Sequence, residues 1–286
     1  MAPDFDREPL GVIAGGGALP VIVAQHAAEA GWSPLIVAVG DGRQHDWSAF
    51  THADISWNRV GDAMAYLRSH KVRRLVLCGT ISVRPDFRSM VPSLRTLALL
   101  PEILRLMRGG DDTLLRACAR AFGRRGFEVV GVHEIVPELL MPDGLLTARG
   151  PSPAEEKALA RAFEAAAGLG LLDIGQAVVA SAERVIALEG IEGTREMLQR
   201  VADLRRRGKI GSKEACVLVK SIKPQQDRRF DLPSIGPSTV AEAAASGLGG
   251  IGLTAGGALI IQADEVVAEA ERYRLFVVGR NPETTG

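Results

Sequence analysis

Between Leu10 and Val132, short apolar runs alternate with helix-length stretches, and this alternation restricts the fold more than any other feature of the chain. The runs "LGVIA", "PLIVAV", "RLVLCG" and "FEVVGV" read as strands. Helices are predicted over Pro20–Ala30, stopped by Gly31, over Val60–His70, over "SLRTLALLPEILRLM", and over Asp111–Arg124. The last has an Asp at its N-cap and Gly126 just past its end. Strands separated by helices of this length need crossover connections, so their sheet is parallel and covered on both faces. The expectation is an α/β chain with an N-terminal Rossmann-like parallel-sheet domain, residues 1–136.

The pattern weakens over Pro137–Gly150, "PELLMPDGLLTARG", which reads as a linker and the expected place for a hinge. A second unit, residues 151–286, opens at Ser152-Pro153-Ala154-Glu155, where Ser is the N-cap, Pro the first helical residue and Glu three past the cap. "AVVAS" and "RVIALE" suggest a hairpin, followed by a charged helix over Thr194–Arg207 and the strand "CVLVKS". After an irregular stretch and an Ala-rich helix, the C-terminal part reads strand, Gly-rich turn, strand, Asp-capped helix, strand. This half is predicted to be a C-terminal α/β domain with a mixed sheet.

Composition removes several classes of function. The 34 basic and 34 acidic residues cancel, there is no basic block, and aromatics are only 5%, so no nucleic-acid partner is expected. Cys78, Cys118 and Cys216 are far apart and unpaired in spacing, which fits reduced core residues in a cytoplasmic protein. "MAPDFDREPLG" is too polar for a secretory signal, and no apolar run reaches the ~18 residues of a membrane span. Five scattered histidines make a transition-metal site unexpected, and no P-loop or nucleophile elbow is present.

The strand "LGVIA" runs directly into Gly15, Gly16 and Gly17, then Ala18, Leu19 and Pro20 at the start of a helix. Glycines at such a turn let backbone approach a diphosphate, and the helix N-terminus offers unpaired N–H groups. Pro20 stands where the dinucleotide fingerprint has its third glycine, so the match is incomplete, and a tight turn with no ligand would use the same residues. Asp41, after the second strand, is a candidate for a ribose hydroxyl.

The most chemically loaded stretch is "KSIKPQQDRRFDLPSIGPST". Lys220, Lys223, Arg228 and Arg229 surround Asp227 and Asp231, and Pro224, Pro233 and Pro237 forbid a continuous helix. Carboxylates beside cations suit a phosphorylated anion handled with Mg²⁺; a solvated charged loop is the bland alternative. Arg84 in "GTISVRPDF" and Asp111 in "GGDD" are further candidates for substrate contacts. In His133-Glu134, just past a strand, the lone His reads as a hydrogen-bonded structural residue rather than a base.

Taken together, "GVIAGGGALP", "CGTISVRPDF", "RGGDDTLLR", "GFEVVGVHE", "LDIGQAVV", "ALEGIEGTREML" and "KPQQDRRFDLPSIGPSTV" resemble, in order, one bacterial family. It is the Mg²⁺-dependent UDP-2,3-diacylglucosamine pyrophosphatases, unrelated to the calcineurin-like enzymes of the same step. The resemblance implies hydrolysis of that UDP-linked lipid to UMP and 2,3-diacylglucosamine 1-phosphate in lipid A synthesis, with the lipid held between two domains. It implies that Asp231 of the "DLP" motif is the essential carboxylate and that Asp227 ranks second, both toward Mg²⁺. It also implies that Gly15–Leu19 hold the UDP part. A peripheral contact with the inner face of the inner membrane and a homodimer are compatible with it. Two other readings of the residues stay open: an NAD(P)-dependent oxidoreductase built on the Gly-rich turn, and a non-catalytic nucleotide-sugar sensor.

Overall fold

A computed structural model describes residues 7–56, 59–80, 93–97, 111–230 and 232–281. Two compact units result: Met1–Pro137 with Asp227–Asp231, and Glu138–Gln226 with Leu232–Gly286. The loaded loop expected in the C-terminal domain thus contributes five residues to the first unit.

In the first unit the strands are β1 (Pro9–Ala14), β2 (Ser33–Ala38), β3 (Thr51–Asp54), β4 (Arg74–Cys78) and β5 (Glu128–Val130). They form one sheet in the order β3-β2-β1-β4-β5, and every pairing is parallel. β3 is not among the expected strands; "THAD" alternates half-buried and exposed positions at a sheet edge and lacks an apolar run. Helices α1 (Leu19–Glu29), α2 (Val60–Ser69) and α3 (Asp111–Gly123) lie close to their sequence-predicted ranges. α1 starts with Pro20 in its first turn and ends in a Schellman closure, with Gly31 N–H on Ala28 O (3.2 Å) and Trp32 N–H on Ala27 O (2.9 Å).

The two-residue period of the strands divides the core. Leu35, Val37, Leu75, Leu77 and Val129 cluster with Leu67 of α2 and Phe122 of α3. The alternate residues Val12, Ile36 and Val76 are wholly buried too, while α1, which packs on β1 and β2, buries Val23, Ala24 and Ala27. The sheet is therefore covered on both faces, which confines ligand access to its edges and strand ends.

In the second unit β6 (Gly144–Leu145), β7 (Ala177–Ser181), β8 (Val185–Leu188), β9 (Cys216–Lys220), β11 (Gly250–Thr254) and β13 (Phe276–Arg280) form a mixed sheet. Its order is β6-β13-β11-β9-β7-β8, with β9, β11 and β13 parallel and β6, β7 and β8 joining antiparallel. β10 (Ser234–Ile235) and β12 (Leu259–Ile260) make a separate parallel pair. α4 (Pro153–Leu171) covers one face through Ala158, Leu159, Ala162 and Leu169. α5 (Gly193–Arg206), α6 (Pro237–Ala245) and α7 (Ala263–Tyr273) supply Met197, Leu198, Val201, Val240 and Val266 to the other core cluster.

The Ser152 capping box forms as its residues suggest: Ser152 N–H donates to Glu155 Oε2 (2.8 Å) and Glu155 N–H to Ser152 Oγ (3.4 Å). The expected Asp cap of α7 does not. That helix begins at Ala263 behind Gln262 in a left-handed conformation (φ 59°), which puts Asp264 inside the first turn. Residues 139–150 are woven into the second unit rather than strung as a linker. β6 pairs with β13, Met141 is 1% exposed, and Met141 N–H bonds Ala258 O (2.8 Å).

Candidate active site

The site grows from the carboxyl ends of β1 and β4, neighbours at the point where strand order turns back, the place where open parallel sheets bind ligands. Past β1, the glycines are stitched to the chain leaving β4. Gly15 N–H donates to Cys78 O (2.8 Å), Gly16 N–H to Thr80 O (2.8 Å), and Thr80 N–H returns to Gly16 O (2.9 Å). A Cβ on Gly15 would sit 2.6 Å from Thr80 O, and one on Gly16 2.8 Å from Asp41 Cβ, so close neighbours alone exclude larger residues. Gly17 takes φ +83°, a conformation that favours glycine.

The Gly15 and Gly16 amides are engaged by the chain leaving β4, which fixes the shape of the loop. Among the described residues, the amides of Gly17, Ala18, Leu19 and Val21 make no backbone hydrogen bond; they precede the first bond of the helix start, Ile22 N–H to Ala18 O (3.2 Å). Ala18 is the N-cap, and among the described residues no side chain caps the helix. An anion fits such an end. Asp41 stands beside this loop at the end of β2.

The same sheet edge continues at β5. There the chain passes through Gly131 into a helical turn, Val132–Ile135, whose Glu134 Oε1 accepts the Gly131 N–H at 2.6 Å. The turn packs on α1 and β4. Against Gly131 lies the backbone of Arg229: a Cβ on Gly131 would be 3.2 Å from Arg229 Cα. Phe230 packs onto the first unit's core, and Phe230 N–H bonds Asp227 O at 3.1 Å. Residues Asp227–Phe230 are thereby anchored at the end of β5.

Asp227 and Arg229 make a two-point ion pair, Nε to Oδ1 at 2.9 Å and Nη2 to Oδ2 at 2.7 Å. The guanidinium hydrogen bonds hold the Asp227 carboxyl below the usual carboxylate range, against the opposing effect of burial, with the charge of Arg116 adding to them. Arg229 also lies over the Phe230 ring at 4.9 Å. His133, expected as a hydrogen-bonded structural residue, differs: its Nδ1 is buried with no hydrogen-bond partner among the described residues. Burial draws its pKa below the ordinary imidazole value, and Arg228 adds to the shift while Glu134 opposes it.

The remaining candidates fall elsewhere or outside the described residues. Asp231, Arg84 and the side chain of Asp111, the first residue of α3, lie outside them. Lys220 and Lys223 belong to the second unit. Lys220 is 8% exposed and donates from Nζ to Ser234 O (2.9 Å); Lys223 Nζ pairs with Asp173 Oδ1 (2.8 Å). Both lysines thus have structural partners. The structure brings Gly15–Leu19 and Asp227 to the ends of strands in one sheet, and adds His133, Glu134 and Arg229 in supporting positions. "GVHE" directly after a strand was the signal for the first two. Burial raises all three thiols, Cys78 to about 12.

Two family models match the chain. Residues 9–139 match the LpxI N-terminal domain family and residues 142–278 the LpxI C-terminal domain family. The chain is also similar to the UDP-2,3-diacylglucosamine pyrophosphatase LpxI of Caulobacter vibrioides, 38% identical over 276 residues, covering 96% of this chain and 98% of the relative.

Proposed function

The chain belongs to the LpxI family, and from that premise we propose how it hydrolyses UDP-2,3-diacylglucosamine to UMP and 2,3-diacylglucosamine 1-phosphate in lipid A biosynthesis. One observation carries the mechanism. The glycine turn after β1 and the anchored segment Asp227–Phe230 beside β5 stand at the carboxyl ends of strands in the same parallel sheet. Asp231 is the next residue in the chain.

In this reading the diphosphate lies at the N-terminus of α1, where the amides of Gly17, Ala18 and Leu19 receive its oxygens. Water attacks the phosphorus nearer the sugar. The bond from that phosphorus to the bridging oxygen breaks, UMP leaves with the oxygen, and the water's proton passes to a carboxylate, assigned to Asp231. Arg229 keeps Asp227 ionised and fixed, and the guanidinium of Arg228 offsets charge on the leaving phosphate.

The donor chemistry fits Mg²⁺, which needs only one or two carboxylates when substrate phosphate oxygens complete its shell. Asp231 would hold it, while Asp227, whose two oxygens Arg229 already engages, would add negative charge to the site; the metal's part when bound is to neutralise charge on the diphosphate. No helix among the described residues is long and apolar enough to cross a membrane. With a substrate carrying two acyl chains, we place the enzyme in the cytoplasm, in peripheral contact with the lipid surface. The test is incubation of the full chain with UDP-2,3-diacylglucosamine, with Mg²⁺ or with chelator. UMP and the lipid monophosphate should appear in equal amounts, only with the metal and without response to NADH. Release of free UDP or metal-independent turnover would refute the mechanism.

A further inference from the structure

Among the described residues, two buried side-chain nitrogens lack a hydrogen-bond partner: His133 Nδ1 and His45 Nε2. Native proteins leave few such atoms, and each needs an explanation. Both lie past the carboxyl ends of strands in the first sheet, His133 after β5 and His45 after β2. β2 and β5 are separated by β1 and β4, so three strand spacings set the two ends roughly 14 Å apart. The glycine turn of β1 falls between them. That is the span of a nucleotide joined through a diphosphate to a sugar.

The His45 end is rigidly held. Val39 N–H bonds Ala14 O (2.9 Å), Gly42 N–H bonds Val39 O (3.0 Å), and Gly42 lies so close over Ala14 O that a Cβ there would collide with it. Trp47, 3% exposed, donates its indole N–H to Gly42 O (2.8 Å) and stands edge-on to the His45 ring at 5.7 Å. Asp41 links this loop to Gly16. The imidazole is thus held by packing on a fixed loop while one of its nitrogens is unsatisfied. In either neutral tautomer that nitrogen is a donor without an acceptor or an acceptor without a donor. A uracil edge, an imide N–H between two carbonyls, satisfies both cases.

Resting on the hydrolase reading, we infer that the loop Gly40–Trp47 is the nucleoside subsite, in which His45 Nε2 hydrogen-bonds the pyrimidine base and Asp41 the ribose. The substrate then lies with its base at β2, its diphosphate at α1, and its sugar toward β5 and Asp227.

UMP and ribose 5-phosphate, which lacks the base, are titrated calorimetrically into the full chain and into His45→Phe, which keeps a ring against Trp47. Wild type should bind UMP more tightly than ribose 5-phosphate. His45→Phe should lose roughly five- to tenfold in UMP affinity, the worth of one net hydrogen bond, and keep its affinity for ribose 5-phosphate. Should that variant not fold, His45→Leu, which likewise has no hydrogen-bonding group, replaces it and is read the same way. Equal losses on both ligands, or none on either, would overturn the subsite. Wild type that binds neither ligand would also overturn the subsite, whereas the hydrolase reading stands or falls separately on UMP release from the UDP-lipid.

Discussion

Asp227 and Arg229 hold each other at two points, with both carboxylate oxygens engaged by one guanidinium at 2.9 and 2.7 Å. Arg229 N–H adds a third bond to Asp227 Oδ1 (3.1 Å), so the tetrapeptide Asp227–Phe230 is folded on itself before Phe230 enters the first unit's core. The geometry of the pair cannot be copied by a single-point cation.

Arg229→Lys keeps the charge and loses the fork. Asp227 should then titrate at higher pH, and kcat/KM for the UDP-lipid should fall about tenfold, the cost of roughly 1.4 kcal/mol of misplacement. Carboxyl-resolved NMR titration and initial rates check the two parts.

The Asp227 pKa is depressed on folding, chiefly by the Arg229 hydrogen bonds. A depressed carboxylate contributes stability that is complete above its unfolded value, about 3.9, and disappears as pH falls through the folded value. Asp227→Asn should therefore melt below wild type at pH 6, and the gap should close as pH drops below about 4. Thermal melts of both proteins across this range are the check.

Gly17 has φ +83°, and a Cβ added there would meet no atom of the described residues within 4 Å, so Gly17→Ala carries only the backbone cost. That is about 1 kcal/mol, or a Tm lower by about 2–4 °C. Gly16→Ala drives a methyl against Asp41 Cβ at 2.8 Å and displaces the loop after β2. It should weaken UMP binding roughly tenfold, a loss of about 1.4 kcal/mol. Thermal melts and calorimetry of each variant separate the two effects.

In the second unit Glu155 is 4% exposed and receives Arg149 Nη2 at 2.6 Å and Ser152 N–H at 2.8 Å. Burial raises its pKa, but these bonds outweigh that and leave it below the ordinary glutamate value. Glu155→Ala strands both donors and should cost about 2–3 kcal/mol, whereas Ser152→Ala removes one cap for about 1 kcal/mol. Urea unfolding should rank the two variants in that order.

What the sequence made legible is what its residues announce locally. β1, β2, β4 and β5 are apolar runs, and Ser152 and Glu155 spell their own cap. Features that depend on distant partners were hidden. β6 exists because residues 144–145 find 278–279, and "THAD" becomes β3 only through its pairing with β2. The glycine turn could be read as a phosphate loop, but not that Gly15 and Gly16 give their amides to the β4 chain. Likewise "DRRF" shows charge without revealing that Arg229 closes on Asp227 while Phe230 docks in the first unit. The orphan nitrogens of His45 and His133 are products of burial, which no local pattern encodes.

The most direct measurement of the central claim uses Asp231→Asn with UDP-2,3-diacylglucosamine and Mg²⁺, scoring UMP release beside UMP binding. Turnover should fall roughly 100-fold or more, with the melting temperature and UMP affinity kept, as for loss of a group that handles the proton. Wild-type turnover in that variant would contradict the account.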